Sequence, residues 1–248
     1  MAGSDLESPR VEPRPRLREI HVALILGVVA LLLAASFASL GSEVLEGETR
    51  RFDLFMLRLA QSMRAGNPQF VGALRDLSAL GSATVLSVFV TITAGYLVLR
   101  SQRRNAALLV ASAISGALLV SVLKDVFGRS RPPAIFAELV APGLSFPSGH
   151  SAQAAMVYLM IGAWLARTRS SRNERLYILA STALLAFLVG LTRVALGVHW
   201  ATDVLGGWAF GTAWAIGSLL CVRLLTSERA SGNPAAIGQG TRFEREDT

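Results

Sequence analysis

Six stretches of roughly 18 residues, at 22–40, 81–99, 105–123, 149–166, 176–192 and 204–222, carry almost no charge. A helix rises 1.5 Å per residue, so about 20 apolar residues cross the roughly 30 Å hydrocarbon core of a bilayer. The expected fold class is therefore all-α: a polytopic membrane protein, a six-transmembrane-helix bundle. Composition agrees, with 52% hydrophobic and 17% charged residues and a mean hydropathy of +0.48 in 248 residues. A soluble domain averages about 25% charged. Disordered and collagen-like chains are excluded. Two stretches are blemished, 149–166 by His150 and Gln153, and 176–192 by Arg193 at its end.

Residues 1–19 mix Arg, Pro and acids without apolar periodicity, and 227–248 are rich in Gly, Ser and charge; both read as disordered cytoplasmic tails. Residues 20–226 then form one domain. Ser36 and Ala38 are small residues at a cleavage-like spacing, but an uncharged run of 19 exceeds the usual 7–15 residue signal core, so 22–40 is expected to be an uncleaved anchor. Between the first two spans, residues 41–80 are expected to form an external amphipathic segment. Phe52, Phe55, Met56, Leu59 and Met63 recur at helical spacing, as do Phe70, Leu74 and Leu77, and Asn67-Pro68 marks a break and a new helix start. Two short helices packing on the bundle or lying at the interface are expected, with a substrate-guiding lid as the sharper alternative.

The net charge of +7 and pI near 10.8 could suit nucleic acid, but the basic residues fall between apolar runs rather than on one soluble face. Their distribution by loop gives orientation instead. With six spans, fifteen of the 24 lie on the side of both termini, which are therefore expected in the cytoplasm. Nine lie on the other side: Arg50, Arg51, Arg58, Arg64, Arg75, Lys124, Arg129, Arg131 and Arg193. The single Cys221 excludes an intrachain disulfide and any multi-cysteine metal centre.

Ionisable groups at membrane depth cost at least ~2.5–3.5 kcal/mol each and usually face a functional interior. Lys124, Arg131 and Arg193, the only lysine and two planar guanidinium forks, would meet at the external mouths of the spans and suit a phosphate. Pro147, Ser148 and Gly149 open a helix whose free N–H groups also favour an anion. Interfacial residues bound to lipid headgroups would explain Arg129 but not that coincidence. His199 and Asp203 are four apart, placing a carboxylate where it can orient an imidazole as nucleophile or base. His150 follows the helix start as a proton donor, whereas His21 reads as a packing residue.

Together, Lys124 through Arg131-Pro132, the run Pro147-Ser148-Gly149-His150, and Thr192-Arg193 followed by His199 and Asp203 resemble the three-part signature of the type-2 phosphatidic acid phosphatase and vanadium haloperoxidase superfamily. The resemblance covers 124–203, and the six-span layout is similar to the family's bacterial membrane branch. Thr192 departs from the serine most common there, and its hydroxyl is expected to substitute. The resemblance implies a two-step displacement without metal or other cofactor. His199 would form a phosphohistidine, His150 would protonate the leaving oxygen and then activate water, and Asp203 would orient His199. Lys124, Arg131, Ser148, Gly149 and Arg193 would bind the phosphate oxygens. Asp125 and Arg129, at free positions in the first motif, are expected to form an internal ion pair or touch headgroups, or alternatively to select the leaving group.

A site at the headgroup level implies a lipid phosphate or diphosphate substrate held in the bilayer, with no nucleic-acid partner. Undecaprenyl diphosphate is the first expectation, ahead of phosphatidylglycerol phosphate and phosphatidate, in a bacterial cytoplasmic membrane with the site on the periplasmic face. Two other classes compete: a vanadate-dependent haloperoxidase, against which the absence of a large soluble domain argues, and a non-hydrolytic transporter. Transporters usually show repeated halves and midplane sites; no repeat is visible here.

Overall fold

Each apolar stretch folds as one long helix. The structure, a computed structural model, describes residues 17–231, and among them every regular element is helical. The long helices are α1 (Leu17–Glu46), α4 (Ala83–Leu99), α5 (Arg103–Phe127), α6 (Gly149–Arg167), α7 (Arg172–Ala195) and α8 (Ala201–Ser231). Between α1 and α4 lie α2 (Arg50–Arg64) and α3 (Pro68–Ala79), and a short 3₁₀ turn spans Ala134–Phe136. Four helices are long and apolar enough to cross a membrane: α1, α5, α7 and α8. A fifth joins them if α3 and α4, bent by 43° at their junction, count as one span. α6 falls outside this set because Gly149, His150, Ser151 and Gln153 dilute its first turn.

Local chemistry sets the boundaries. The Asn67 side chain accepts from the Phe70 amide at 3.0 Å with Pro68 as first helical residue, and Ser82 Oγ accepts from the Val85 amide at 3.3 Å. At the other end of α5, Gly128 takes the left-handed cap conformation, φ 56°. α8 continues to Ser231, inside the stretch expected as tail, since the first helix breaker beyond 222 is Gly232. Likewise α1 begins at Leu17 rather than after residue 19. The remaining expectations for the tails fall on 1–16 and 232–248, outside the described residues.

The blemished fourth stretch turns out to be the centre of the bundle. α6 packs against α4, α5, α7 and α8, and its buried residues run from Ser151 to Ala166. His150 and Gln153 are tolerated there because protein, not lipid, surrounds the helix. α6 and α8 approach backbone to backbone: a Cβ on Gly211 would lie 2.2 Å from the Ala152 carbonyl oxygen, and one on Gly207 2.8 Å from that of Ser148. Phe146, entirely buried, stacks on Phe37 of α1 at 5.6 Å and meets Phe127 edge-on at 4.7 Å, fixing the loop into α6.

Of the two placements expected for its apolar stripe, α2 takes the outward one at most positions. Phe55 and Met63 are 63% exposed, and Phe52 and Leu59 are exposed too, whereas Asp53, Leu57 and Arg64 are buried. Four of the five stripe residues face away from the bundle, and Met56 packs on Val194, Ala201 and Val204. Asp53 and Arg64 turn inward while Arg50, Arg51 and Arg58 stay exposed, as suits a helix lying at an interface with its inward polar groups satisfied by protein. In α3, Val71 and Ser78 are buried, and Leu74 packs with Leu196 and Val198.

Candidate active site

All eight sequence-derived site residues gather at one end of the bundle, where α5 and α7 finish, α6 and α8 begin, and α2 and α3 pack. Lys124 lies in the last turn of α5 and Arg193 in that of α7, while Gly149 and His150 open α6 and Asp203 lies in the first turn of α8. His199 sits in the turn between α7 and α8, which Gly197 makes possible at φ 70°; a Cβ there would strike the Phe136 carbonyl at 1.7 Å.

His199 is 2% exposed. Its Nδ1 lies 3.1 Å from Asp203 Oδ2 and its Nε2 3.2 Å from Arg131 Nη1. A guanidinium only donates and a carboxylate only accepts, so both partners select one tautomer: the proton on Nδ1 toward Asp203, the lone pair on Nε2. Burial pushes the imidazole down from 6.5 to about 4, outweighing the hydrogen bond and charge of Asp203, which act upward; nearby Arg131 and Lys124 reinforce the burial. Nε2 is thus unprotonated across the neutral range. The acidic limb of kcat/KM attributable to this group should therefore lie below pH 6.5, with activity falling as pH drops toward about 4. A pH profile on a substrate whose own titration is known checks this, and a limb at or above that of free imidazole would contradict it.

The cations are held by loop carbonyls. Lys124 Nζ donates to Leu144 O at 2.7 Å and Ser145 O at 3.3 Å. Arg131 donates to Gly143 O, Pro142 O and Val198 O at 2.8–3.0 Å, and burial lowers its pKa. Arg193 differs: Nη1 donates to Ser78 Oγ at 2.5 Å, and its buried Nε has no partner. An unpartnered buried guanidinium N–H is costly and suits an anion that completes it. Ser148 is buried, its amide donates to Asp203 O at 2.9 Å, and its Oγ accepts from the Ser151 hydroxyl, which leaves its own proton to donate. A Cβ on Gly149 would lie 4.0 Å from Lys124 Cε. His150 is half-buried within electrostatic range of Arg193, His199, Arg131 and Lys124. The Thr192 hydroxyl donates to Val189 O of its own helix at 2.6 Å and so is turned back on α7.

Arg129 is tied into the protein rather than turned to headgroups. It pairs with Asp203 and with Asp53 of α2, each at 2.6 Å, while Asp125 is exposed. Asp53, Thr202 and Ser78 escaped the sequence reading, as did Arg64, which bonds Glu138 at 2.9 Å and the carbonyls of Ala195 and Phe136. The only hint was positional: Arg64 and Arg129 are among the nine basic residues that break the charge rule, and protein acceptors account for both.

The model of the family described as PAP2 superfamily matches residues 105–227, the stretch holding all eight residues. The chain belongs to the PAP2 superfamily. Phosphatidylglycerophosphatase B of Bacillus subtilis (strain 168) is 47% identical over 98 residues, 38% of this chain and 46% of that one. Undecaprenyl-diphosphatase of Sulfolobus acidocaldarius is 29% identical over 130 residues, 50% of this chain and 59% of the other. The chain thus spans about half the length of these curated relatives. The crystal structure of a transmembrane PAP2-type phosphatidylglycerolphosphate phosphatase from Bacillus subtilis superposes with a TM-score of 0.69 at 27% identity, covering 83% of this chain and 98% of that one.

Proposed function

We propose that this protein is a membrane-embedded phosphatase that hydrolyses the terminal phosphate of a lipid phosphate or diphosphate. The observation that carries the reading is the meeting of a buried His199–Asp203 pair with three cations and a helix start, one cation having an unpartnered buried donor. In this scheme the phosphate oxygens take the donors of Lys124, Arg131, Arg193, Ser148 and the Gly149 amide. Arg131 turns from Nε2 to the phosphate, freeing the lone pair. Nε2 then attacks phosphorus, the phosphorus–oxygen bond to the lipid breaks, and His150 gives the departing oxygen its proton. Water next attacks phosphorus and passes a proton to His150; the phosphorus–nitrogen bond breaks and its electron pair returns to Nε2. Net, one water splits one phosphate from the lipid. The cations act where charge spreads over the equatorial oxygens, and Asp203 stabilises the imidazolium.

We also read the six long helices as six spans forming one domain over 20–226, in a bacterial cytoplasmic membrane, with cytoplasmic termini and the site on the external face. The packing of α6 inside a ring of more apolar helices supports its counting as a span, and α1 contributes Phe37 to the aromatic cluster as an uncleaved anchor would. Val140, 96% exposed in the loop beside the site, gives the test. In a Cys221→Ser background, Val140→Cys should react with a membrane-impermeant maleimide added outside intact cells; labelling only after the inner face is opened would invert the topology.

Undecaprenyl diphosphate and phosphatidylglycerol phosphate head the substrate candidates, the second favoured by the 47% identity to a phosphatidylglycerophosphatase. Purified protein in detergent, given these and phosphatidate with EDTA present, should release inorganic phosphate from at least one. Absence of release from all of them would overturn the reading.

A further inference from the structure

Behind His199 lies a second layer of buried charge that the hydrolysis scheme leaves without a task. The Arg129 guanidinium is clamped between two carboxylates, Nη1 donating to Asp203 Oδ1 and Nη2 to Asp53 Oδ2, both at 2.6 Å. Asp53 comes from α2, and its side chain is wholly buried. Its Oδ1 accepts from the Thr202 amide at 3.0 Å, and its Oδ2 from the Thr202 hydroxyl at 2.8 Å. The Trp200 ring lies 5.4 Å from the Arg129 guanidinium, and the Trp200 amide donates to Asp203 Oδ2, the oxygen that faces His199. A surface helix has thus sent a carboxylate 76 residues away in sequence to meet Arg129.

Charge balance gives the arrangement a purpose. Were Arg129 and Asp203 alone, the guanidinium would cancel the carboxylate that must stabilise positive charge on His199. From its other side His199 faces Arg131 and Lys124, which oppose that charge. With Asp53 present, the three groups carry one net negative charge, and the cluster becomes neutral when the imidazole gains its positive charge on phosphoryl transfer. We propose that Asp53 is a positioning residue that neutralises Arg129, so that Asp203 keeps its full charge for His199. This rests on His199 being the nucleophile of a phosphatase. It also gives the amphipathic segment a place in the reaction: α2 completes the electrostatics of the site.

The test compares the wild type, Asp53→Asn and the double variant Asp53→Asn/Arg129→Gln on whichever lipid phosphate the wild type hydrolyses, with thermal unfolding in detergent confirming folded protein. Asp53→Asn should lower kcat about 10- to 100-fold with KM little changed, since the altered charge acts on the transition state and not on the bound phosphate. The double variant, which removes the opposing charges together, should return to within about tenfold of the wild type. An unchanged kcat in Asp53→Asn, or an equal loss in single and double variants, would overturn the proposal, the latter by marking Asp53 as merely structural. Should Asp53→Asn not fold, the double variant decides alone: activity within about tenfold of the wild type supports the proposal, and a loss matching that of His199→Ala overturns it. Failure of the wild type to release phosphate from any substrate would instead overturn the phosphatase reading, and this one with it.

Discussion

His199→Ala should abolish phosphate release from every lipid phosphate that the wild type hydrolyses, by at least about 10⁴-fold in kcat, while the protein stays folded. The Nε2 lone pair faces Arg131, and the tautomer that exposes it is selected from both sides by Arg131 and Asp203. In the proposed scheme no neighbouring group replaces it: Lys124 is held by two carbonyls, and His150, at the start of α6, is assigned the proton transfer. Folding should survive because Asp203 keeps the Arg129 pair and the Trp200 amide when the imidazole goes. Phosphate release and a thermal melt on the same preparation check both halves. Retention of more than about a hundredth of the activity would exclude His199 as nucleophile.

Arg193→Lys should lower kcat/KM by about 10²- to 10³-fold although the charge is kept. The guanidinium is buried in α7, anchored through Nη1 by Ser78, and its Nε has no protein partner, which leaves it for the phosphate in the proposed scheme. An ammonium group is a single point of charge and cannot hold Ser78 while presenting a fixed second donor. The loss should fall on both kcat and kcat/KM, as for a contact that strengthens as charge spreads over the oxygens. Steady-state kinetics against the wild type measure it, and activity within about threefold would mean that the planar fork is not used.

The fold class was legible because apolar length is a local property. Each of the six stretches became one long helix, and the motif residues met because the topology alternates: the ends of α5 and α7 must lie beside the starts of α6 and α8. Local signals also placed the break at Asn67-Pro68. What sequence could not supply was the direction of α2. The sequence left open whether its apolar stripe packs on the bundle or lies at an interface; in the structure most of that stripe faces outward while Asp53 and Arg64 turn in. Arg129 was ambiguous for a related reason. Its partners lie 74 and 76 residues away, and no periodicity encodes that reach. The Thr192 hydroxyl, expected to substitute for a serine, is bonded within α7.

The covalent step tests the whole scheme most directly. Rapid-quench mixing of the wild type with a lipid substrate carrying a radiolabelled terminal phosphate, followed by peptide mapping, should give an acid-labile, base-stable phosphoryl group on His199, absent from His199→Ala. Turnover with no label at any quench time, or label on another residue, would contradict it.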